Sequence, residues 1–550
     1  MHSDAARTIE LLLLLLLAVA ALAALARRLQ IPYPILLVLG GLVLGFVPGL
    51  PRVALEPDLV FLLFLPPILY GAAWFTSWRD FRANLRPIAL LSFGLVFATT
   101  VAVAAVARAI VPGLPWAAAF VLGAIVSPPD AAAATAVVQR LGVPRRIVTV
   151  LEGESLINDA AALVALRFAV AATVTGTFSL GEAAIRLAFV SVGGVAVGLA
   201  LGWLVVWIER RLDDPPIEIT LSFLAPMAAY LVAETARVSG VLAVVAAGLY
   251  VSRRSARLFS ADARLRANAV WDLAIFLING LIFILIGLQL PRVLEALSER
   301  PFAALLWQGA VVSLTVILVR IAWFFPATYL PRILSRRIRE RNPTPSWRNV
   351  TIVAYTGLRG VVSLAAALAL PLEVAGGAPF PARDLILFLT FCVILVTLVG
   401  QGLTLAPLIR RLGVEADGGA AAEEAEARAR GIAAALARLD EAARDGWAQD
   451  GAVAYLRGYY AKRAHLLGAR FGRPDHEHGP NGGDGHAHAD GRDHREEHRR
   501  MLEGFQRLQH EVLRAEREVV IRLRDEGRIG DEALRRIERD LDIEELRTQG

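Results

Sequence analysis

The chain of 550 residues is nearly devoid of cysteine and lysine: each occurs once, as Cys392 and Lys462. A single cysteine excludes an intramolecular disulfide and any metal site built from several thiolates. The near absence of lysine leaves arginine to carry almost all of the positive charge, a compositional bias to which no functional weight is given. Charge is scarce as well, at 20% of residues, against about 25% in soluble domains. What the chain has in excess is apolar surface. Hydrophobic residues make up 56% and the mean hydropathy is +0.53, where a soluble protein averages about 45–50% apolar. The excess is concentrated between residues 8 and 411, in runs of roughly 20 residues. A helix of that length crosses about 30 Å of hydrocarbon at 1.5 Å per residue. Beyond residue 411 the character becomes charged and helix-forming. Two parts are therefore expected, a membrane domain over 1–411 and a polar tail over 412–550. The formal charge of +6 and pI near 9.8 would suit nucleic acid. That reading is rejected, because most arginines sit in short loops between apolar runs, where positive-inside bias accounts for them.

The first run, Leu11 to Ala26, has the small-residue end of a cleavable signal peptide. Against cleavage, its leading flank is weakly basic and Arg27-Arg28 follows it, so a retained helix with its N-terminus outside is expected. Thirteen spanning segments are predicted, with cores at 8–27, 33–50, 58–75, 87–111, 115–139, 147–175, 180–209, 217–236, 240–252, 267–290, 302–329, 350–371 and 384–410. The ninth is short and follows a break at Ser239-Gly240. Counted this way, the loops on the far side from the N-terminus hold most arginines, among them Arg79, Arg145, Arg146, Arg210, Arg211, Arg253, Arg254 and Arg332. The opposite loops hold only Arg52, Arg237, Arg292, Arg300 and Arg383. A miscounted helix would scramble this asymmetry, so the tail is expected in the cytoplasm.

Polar residues deep in apolar helices are costly and mark function by default. Ser127-Pro128-Pro129-Asp130 interrupts the fifth segment. Neither proline has an amide hydrogen, so the carbonyls of Ala124 and Ile125 lose their helical partners and the helix breaks. It can restart with Ser127 as N-cap, Pro128 at N1 and Asp130 at N3, which puts a positive helix end at membrane depth beside a carboxylate. Broken backbone is tolerated there only where it lines protein or a cavity; the bland reading is a simple proline kink. In the sixth segment, over Leu151 to Ala160, Glu154 and Asn158 share one helical face and Ser155 and Asp159 the next. The bland reading places these residues in a polar loop, which suits Glu152 better than Asp159. In the twelfth, Gly357 and Gly360 bracket Arg359, again suggesting unwound chain. Arg320 is a further cation within an apolar run, unless it snorkels to the interface. Asp130 lies roughly 22 Å from one surface, and Asp159 and Arg359 roughly 18 and 15 Å from the other, so all three reach the centre. Segments 1–6 and 8–13 can be read as two halves, with the breaks in the fifth helix of each and running in opposite directions. Matching interruptions in inverted halves point to a midplane site.

These residues resemble the cation:proton antiporter family of the NhaP/NHE type, in its bacterial branch. The matching stretches are Phe64 to Leu69, Ser127 to Asp130, Glu152 to Ala160, Asn279 to Pro291 and Gly357 to Gly360, covering most of residues 8–411. The resemblance implies an all-α membrane protein of about 13 helices in two inverted six-helix repeats with two broken, crossing helices, here followed by an α-helical tail. It implies that Asp159 alternately holds a proton or the cation, with Ser155 and the carbonyl of Pro129 helping to coordinate it. Asp130 would balance charge at the crossing, Glu154 would pair with Arg320, Arg359 would offset carbonyl ends at the second break, and Asn158 would be structural. The chain departs from the family in two places: Pro129 stands where threonine is common, and Gly71 where relatives often carry an acid.

The expected activity is exchange of Na+ (or Li+ or K+) for H+, one for one because Asn158 does not titrate, by competition at Asp159 and alternating access. Oxygen ligands suit a hard cation. No cofactor beyond the transported ions is expected, and the family suggests a homodimer in the bacterial inner membrane serving pH homeostasis. Two alternatives are a proton-coupled transporter of an organic solute, and an intramembrane enzyme with Asp130 and Asp159 as a carboxylate pair. In the tail, Ala421 to Arg444 reads as a solvated helix. The stretch 475–498, with His476, His478, His486, His488, His494 and His498, reads as a flexible linker in preference to a metal or pH sensor. Phe505, Leu508, Val512, Ala515 and Val519 form a coiled-coil or docking pattern.

Overall fold

The computed structural model describes residues 2–47, 60–130, 134–135, 137–138, 141–176, 180–212, 214–341, 344–374, 377–414, 419–471 and 494–549. Among them the chain is all helical, without strands beyond one isolated bridge between Glu373 and Pro379. It divides into two compact units. The first comprises Met1–Leu258 with Ala267–Ala416, the second Phe259–Arg266 with Asp417–Gly550.

In the first unit the helices are α1 (His2–Leu29), α2 (Tyr33–Gly45), α3 (Phe61–Phe75), α4 (Trp78–Ala83), α5 (Leu85–Ile110), α6 (Trp116–Val126), α7 (Arg145–Thr175), α8 (Leu180–Glu209), α9 (Pro215–Thr235), α10 (Gly240–Leu258), α11 (Ala261–Ala296, whose start up to Arg266 belongs to the second unit), α12 (Phe302–Leu334), α13 (Arg336–Arg341), α14 (Trp347–Tyr355), α15 (Val361–Leu368) and α16 (Arg383–Leu412). Eight described helices are long and apolar enough to cross a membrane, and α2, α3 and α6 are shorter apolar helices. The ninth predicted segment is longer than expected: α10 runs 19 residues, and Ser239 caps it by accepting the Leu242 amide at 3.2 Å.

Three of these helices carry a π turn, at Val60–Phe64, Leu90–Leu95 and Val396–Gln401. A π turn widens the helix by one residue and frees backbone or side-chain groups for other partners. The first stands just before Pro66-Pro67, where the missing amides favour a fresh start. The third feeds the candidate site. Among the described residues the largest apolar core is built on α6, with Val121, Leu122 and Ile125 packed among Val312 of α12, Ala367 of α15 and Phe388 of α16. A second core joins α2, α11 and α15 through Leu37, Phe283 and Leu364. Both surround the two helix breaks, so the irregular backbone is enclosed by protein.

The second unit holds α17 (Gly419–Arg444), α18 (Asp450–Phe471), α19 (His494–Asp525) and α20 (Asp531–Gln549). The expectation of a solvated helix over Ala421 to Arg444 is corrected here. Ile432, Ala435, Leu439 and Ala442 are buried against Val453, Leu456, Leu508 and Val512. Alanine carries too little apolar surface to make such a face conspicuous, yet it allows close helix contact. Leu508 and Val512 of the pattern expected for coiled-coil or docking contacts are spent inside this core. Of the histidine-rich stretch, His476, His478, His486 and His488 lie outside the described residues, as do the side chains of His494 and His498.

Charge locks the unit. Arg463 bridges Glu516 at 3.1 Å and Glu544 at 3.4 Å, although burial still pushes the Glu516 carboxyl above its ordinary range. Asp542 takes two hydrogen bonds from Arg264, each 2.8 Å, and one from Arg517 at 2.9 Å. Asp542→Ala would strip both guanidiniums of this carboxylate, and Arg264 is only 8% exposed at its side chain. Such a change is expected to cost about 3 kcal/mol, seen as an earlier unfolding step and faster proteolysis within the tail of the full-length chain. Proteolysis at the wild-type rate would show that the pair contributes nothing.

Candidate functional site

The site is assembled on α7, which carries the sixth-segment motif in unbroken helix, not in a loop. The helix runs 31 residues and stops at Gly176, whose left-handed conformation (φ 73°) lets its amide bond to Ala172. Asp159 stands at its midpoint. Glu154, Asn158 and Asp159 are 1%, 0% and 7% exposed. Ser155 is half-buried on the Asp159 face.

The first break falls where the prolines require it: α6 ends at Val126. The role of Ser127 differs from expectation. It remains in right-handed helical conformation at the end of α6, and its hydroxyl donates back to the Ala124 carbonyl at 2.9 Å. It thus satisfies one of the carbonyls the prolines orphaned, and does not serve as an N-cap. Residues 131–133, on which the expected restart depends, lie outside the described residues. The Pro129 carbonyl accepts from Asn158 Nδ2 at 2.8 Å, tying the break to the centre of α7. Asn158 Oδ1, fully enclosed, has no hydrogen-bond partner among the described residues.

The second break separates α14 from α15, with Thr356 to Gly360 between them. The two breaks cross. The Asp130 amide donates to the Leu358 carbonyl at 2.7 Å. The Asp130 carboxylate lies against Gly360, the residue that opens α15, so closely that any side chain at 360 would overlap it. It therefore stands at the positive end of a helix. Gly360→Ala is expected to reduce exchange at least tenfold with normal membrane insertion, measured as transport per folded protein. Wild-type transport by this variant would mean that the close approach has no role.

Arg359 answers the opposite ends. Its Nε donates to Val126 O at 3.1 Å, Nη2 to Ser127 O at 3.5 Å, and Nη1 to Gly357 O. One buried guanidinium thus covers carbonyls at the C-terminal ends of both α6 and α14, where the macrodipoles are negative. Its own amide donates to Thr397 Oγ1 at 3.1 Å, and Gln401 Nε2 donates to Tyr355 O at 3.2 Å. Both supports come from the π turn of α16. Sequence reasoning missed them, although two polar residues inside an apolar run were a usable signal.

Glu154 and Arg320 form a bidentate pair, at 2.6 and 2.9 Å, with both side chains 1% exposed. Arg320 does not snorkel: its remaining Nη2 contact is to Val353 O of α14 at 3.3 Å, and its guanidinium lies 4.9 Å from the Phe324 ring centroid. Asp159 and Asp130 lie within electrostatic reach of one another. Tyr33 is a further missed neighbour, hydrogen bonded to Asn279 and within reach of the Asp130 charge. At Gly71, where the resemblance would allow an acid, a Cβ would meet the tip of the Ile275 side chain of α11 and no backbone.

Among the described residues Asp159 alone of these charges has no hydrogen-bond or ion-pair partner. Glu154 is matched by Arg320, Asp130 by a helix end and backbone, and Arg359 by carbonyls. The arrangement can hold one exchangeable cation on a carboxylate at the middle of an apolar helix, within a frame whose other charges are compensated.

Comparison with known proteins gives the family of the whole chain. Residues 13–411 match the family model described as sodium/hydrogen exchanger, transmembrane. The chain is 38% identical over 528 residues to an uncharacterised Na(+)/H(+) exchanger of Mycobacterium bovis, covering 95% of this chain and 93% of the relative. It is 36% identical over 384 residues to the sodium, potassium, lithium and rubidium/H(+) antiporter of Bacillus subtilis, covering 67% of this chain and 56% of that one. The solved sodium proton antiporter MjNhaP1 of Methanocaldococcus jannaschii superposes with a TM-score of 0.56 at 22% identity, over 74% of this chain and 98% of its own, a likeness of fold. The chain therefore belongs to the sodium/hydrogen exchanger family, as a multi-pass membrane transporter of cations and protons and not an enzyme.

Proposed function

We propose that this exchanger carries Na+, with Li+ and K+ as alternative cargo, against H+ in a one-for-one electroneutral cycle. The observation that carries the reading is the isolation of Asp159: a buried carboxylate at the centre of α7, unpartnered among the described residues, beside two crossed helix breaks. A carboxylate so placed favours either a proton or a hard cation, and cannot hold both well. Competition for it is enough to couple the two flows. Ser155 Oγ and the Pro129 carbonyl supply neutral oxygens, and Asn158 fixes the direction of that carbonyl. Asn158 stays neutral, which leaves one titrating group per cation. Asp130 and Arg359 hold the crossing together without exchanging their partners.

The cycle proceeds by alternating access, one bundle moving against the other around the breaks. On this reading the chain forms two inverted six-helix halves within a 13-helix count, with a break in the fifth helix of each; the crossing of the two breaks supports it. The membrane is the bacterial inner membrane, with the N-terminus outside and the tail in the cytoplasm, as the loop arginines indicate. The exchanger works there as a homodimer in pH homeostasis.

Everted vesicles holding a proton gradient, followed with a pH-sensitive dye, test this reading. Addition of NaCl should collapse the gradient, with LiCl and KCl ranking the alternatives. A steady current in reconstituted proteoliposomes would rule out one-for-one exchange. Silence towards all three salts across a range of pH would remove monovalent cations as cargo.

A further inference from the structure

Away from Asp159, the first unit forms an open-mouthed cavity of about 110 Å³ at the end where α7 and α14 begin and α12 finishes. Its apolar wall includes Leu91 of α5, Ile147 of α7, Phe324 of α12 and Val350 of α14, part of one packed cluster. Its polar wall is cationic. Arg146 and Arg332 line it, and Arg332 feels the charges of both Arg146 and Arg86. The nearby carboxylate of Asp80 is engaged by Arg145 at 2.7 Å. Two helices also point their N-terminal ends at it: α7, starting after the lining residue Pro144, and α14, whose first turns supply Asn349 and Val350. Amide ends of helices favour anions. Two guanidiniums and two such ends around one small space, with Arg86 near enough to add its charge, give it a positive potential that favours an anion.

The surroundings say what kind of anion. Leu330, Ile333 and Leu334, flanking Arg332, are 51%, 74% and 77% exposed, and Trp347 at the head of α14 is 58% exposed. Exposed aliphatic side chains beside arginine, with a tryptophan at the same end, mark the level at which lipid headgroups meet hydrocarbon. A free phosphate would have no use for these apolar flanks, whereas an acyl chain would.

We propose that this cavity binds the phosphodiester headgroup of an anionic glycerophospholipid, with its acyl chains along the exposed end of α12. The lipid phosphate bridges Arg146 of α7 and Arg332 of α12 beside the first turns of α14. These are the helices that carry Asp159, Arg320 and the second break. The bound lipid therefore ties together the frame of the exchange site, and transport should depend on anionic lipid.

Native mass spectrometry of the detergent-purified full chain tests the site directly. Phosphatidylglycerol is added to wild type, to R146Q/R332Q, and to the charge-keeping R146K/R332K, with phosphatidylcholine and inorganic phosphate as parallel probes. Wild type should retain phosphatidylglycerol in preference to phosphatidylcholine. R146Q/R332Q should bind it about thirtyfold more weakly, as expected from ~1 kcal/mol per arginine at a lipid surface, while R146K/R332K keeps most of the affinity. Equal retention of the two lipids by wild type would overturn the proposal even if the glutamine variant fails to fold. So would undiminished phosphatidylglycerol binding by R146Q/R332Q. Displacement of the lipid by millimolar inorganic phosphate would reassign the cavity to the free anion.

Discussion

Asp159→Asn is expected to reduce cation-triggered proton release to background in everted vesicles, a loss of at least a hundredfold, at every pH and with every cation. Asparagine keeps the size and shape of the side chain. It removes the two properties that exchange requires, a negative charge for the cation and a site for a titrating proton. The helix should be unaffected, because Asp159 makes no ion pair among the described residues that the change would break, and the neutral group is less costly to bury. Normal expression and an unaltered melting profile should therefore accompany the loss. Residual exchange that recovered at another pH would move the coupling carboxylate elsewhere, Asp130 being the next candidate. Asp159→Glu keeps the chemistry and moves it by one methylene, so it should retain measurable transport with altered cation preference.

The second large effect concerns stability. Arg320→Met leaves Glu154 buried, 1% exposed, with its partner gone. Breaking one side of a buried pair costs about 3–5 kcal/mol, because an uncompensated charge remains. Little folded protein should survive purification, and the remainder should melt well below wild type. Glu154→Leu combined with Arg320→Met removes both charges and should recover much of the lost stability, since two apolar side chains then occupy the space. The double variant should still transport poorly if the pair also holds α14 against α7 through Val353. If the double variant proved as unstable as the single one, the penalty would lie in packing around Phe324 and not in the orphaned charge.

Much of the site was legible because its signals are local. Pro128-Pro129 forces an end to α6 wherever the rest of the chain lies, since two consecutive amides are missing. Asp159 stands out because an acid with long apolar runs beyond it has no cheap place in a bilayer. Ser127 was misassigned for an instructive reason. Its type suits either an N-cap or a back-bond to a freed carbonyl, and only the course of the neighbouring chain decides which. Thr397 and Gln401 were passed over because the π turn that aims them at Arg359 and Tyr355 has no clear sequence mark. In the tail, alanines hid a buried face of α17 that hydropathy alone assigned to solvent.

The sequence by itself determined the two-part organisation, the apolar helices and their interruptions, and the few charges that must find partners at membrane depth. These features arise from hydropathy, proline geometry and helical spacing, all of which act within a few residues. The tertiary structure alone decided the partnerships: Arg359 with Val126 across 233 positions, Arg320 with Glu154 across 166, Asn158 with Pro129 across 29. It also decided which carboxylate was left over, because that depends on every other charge being matched in space, and no local rule contains that information.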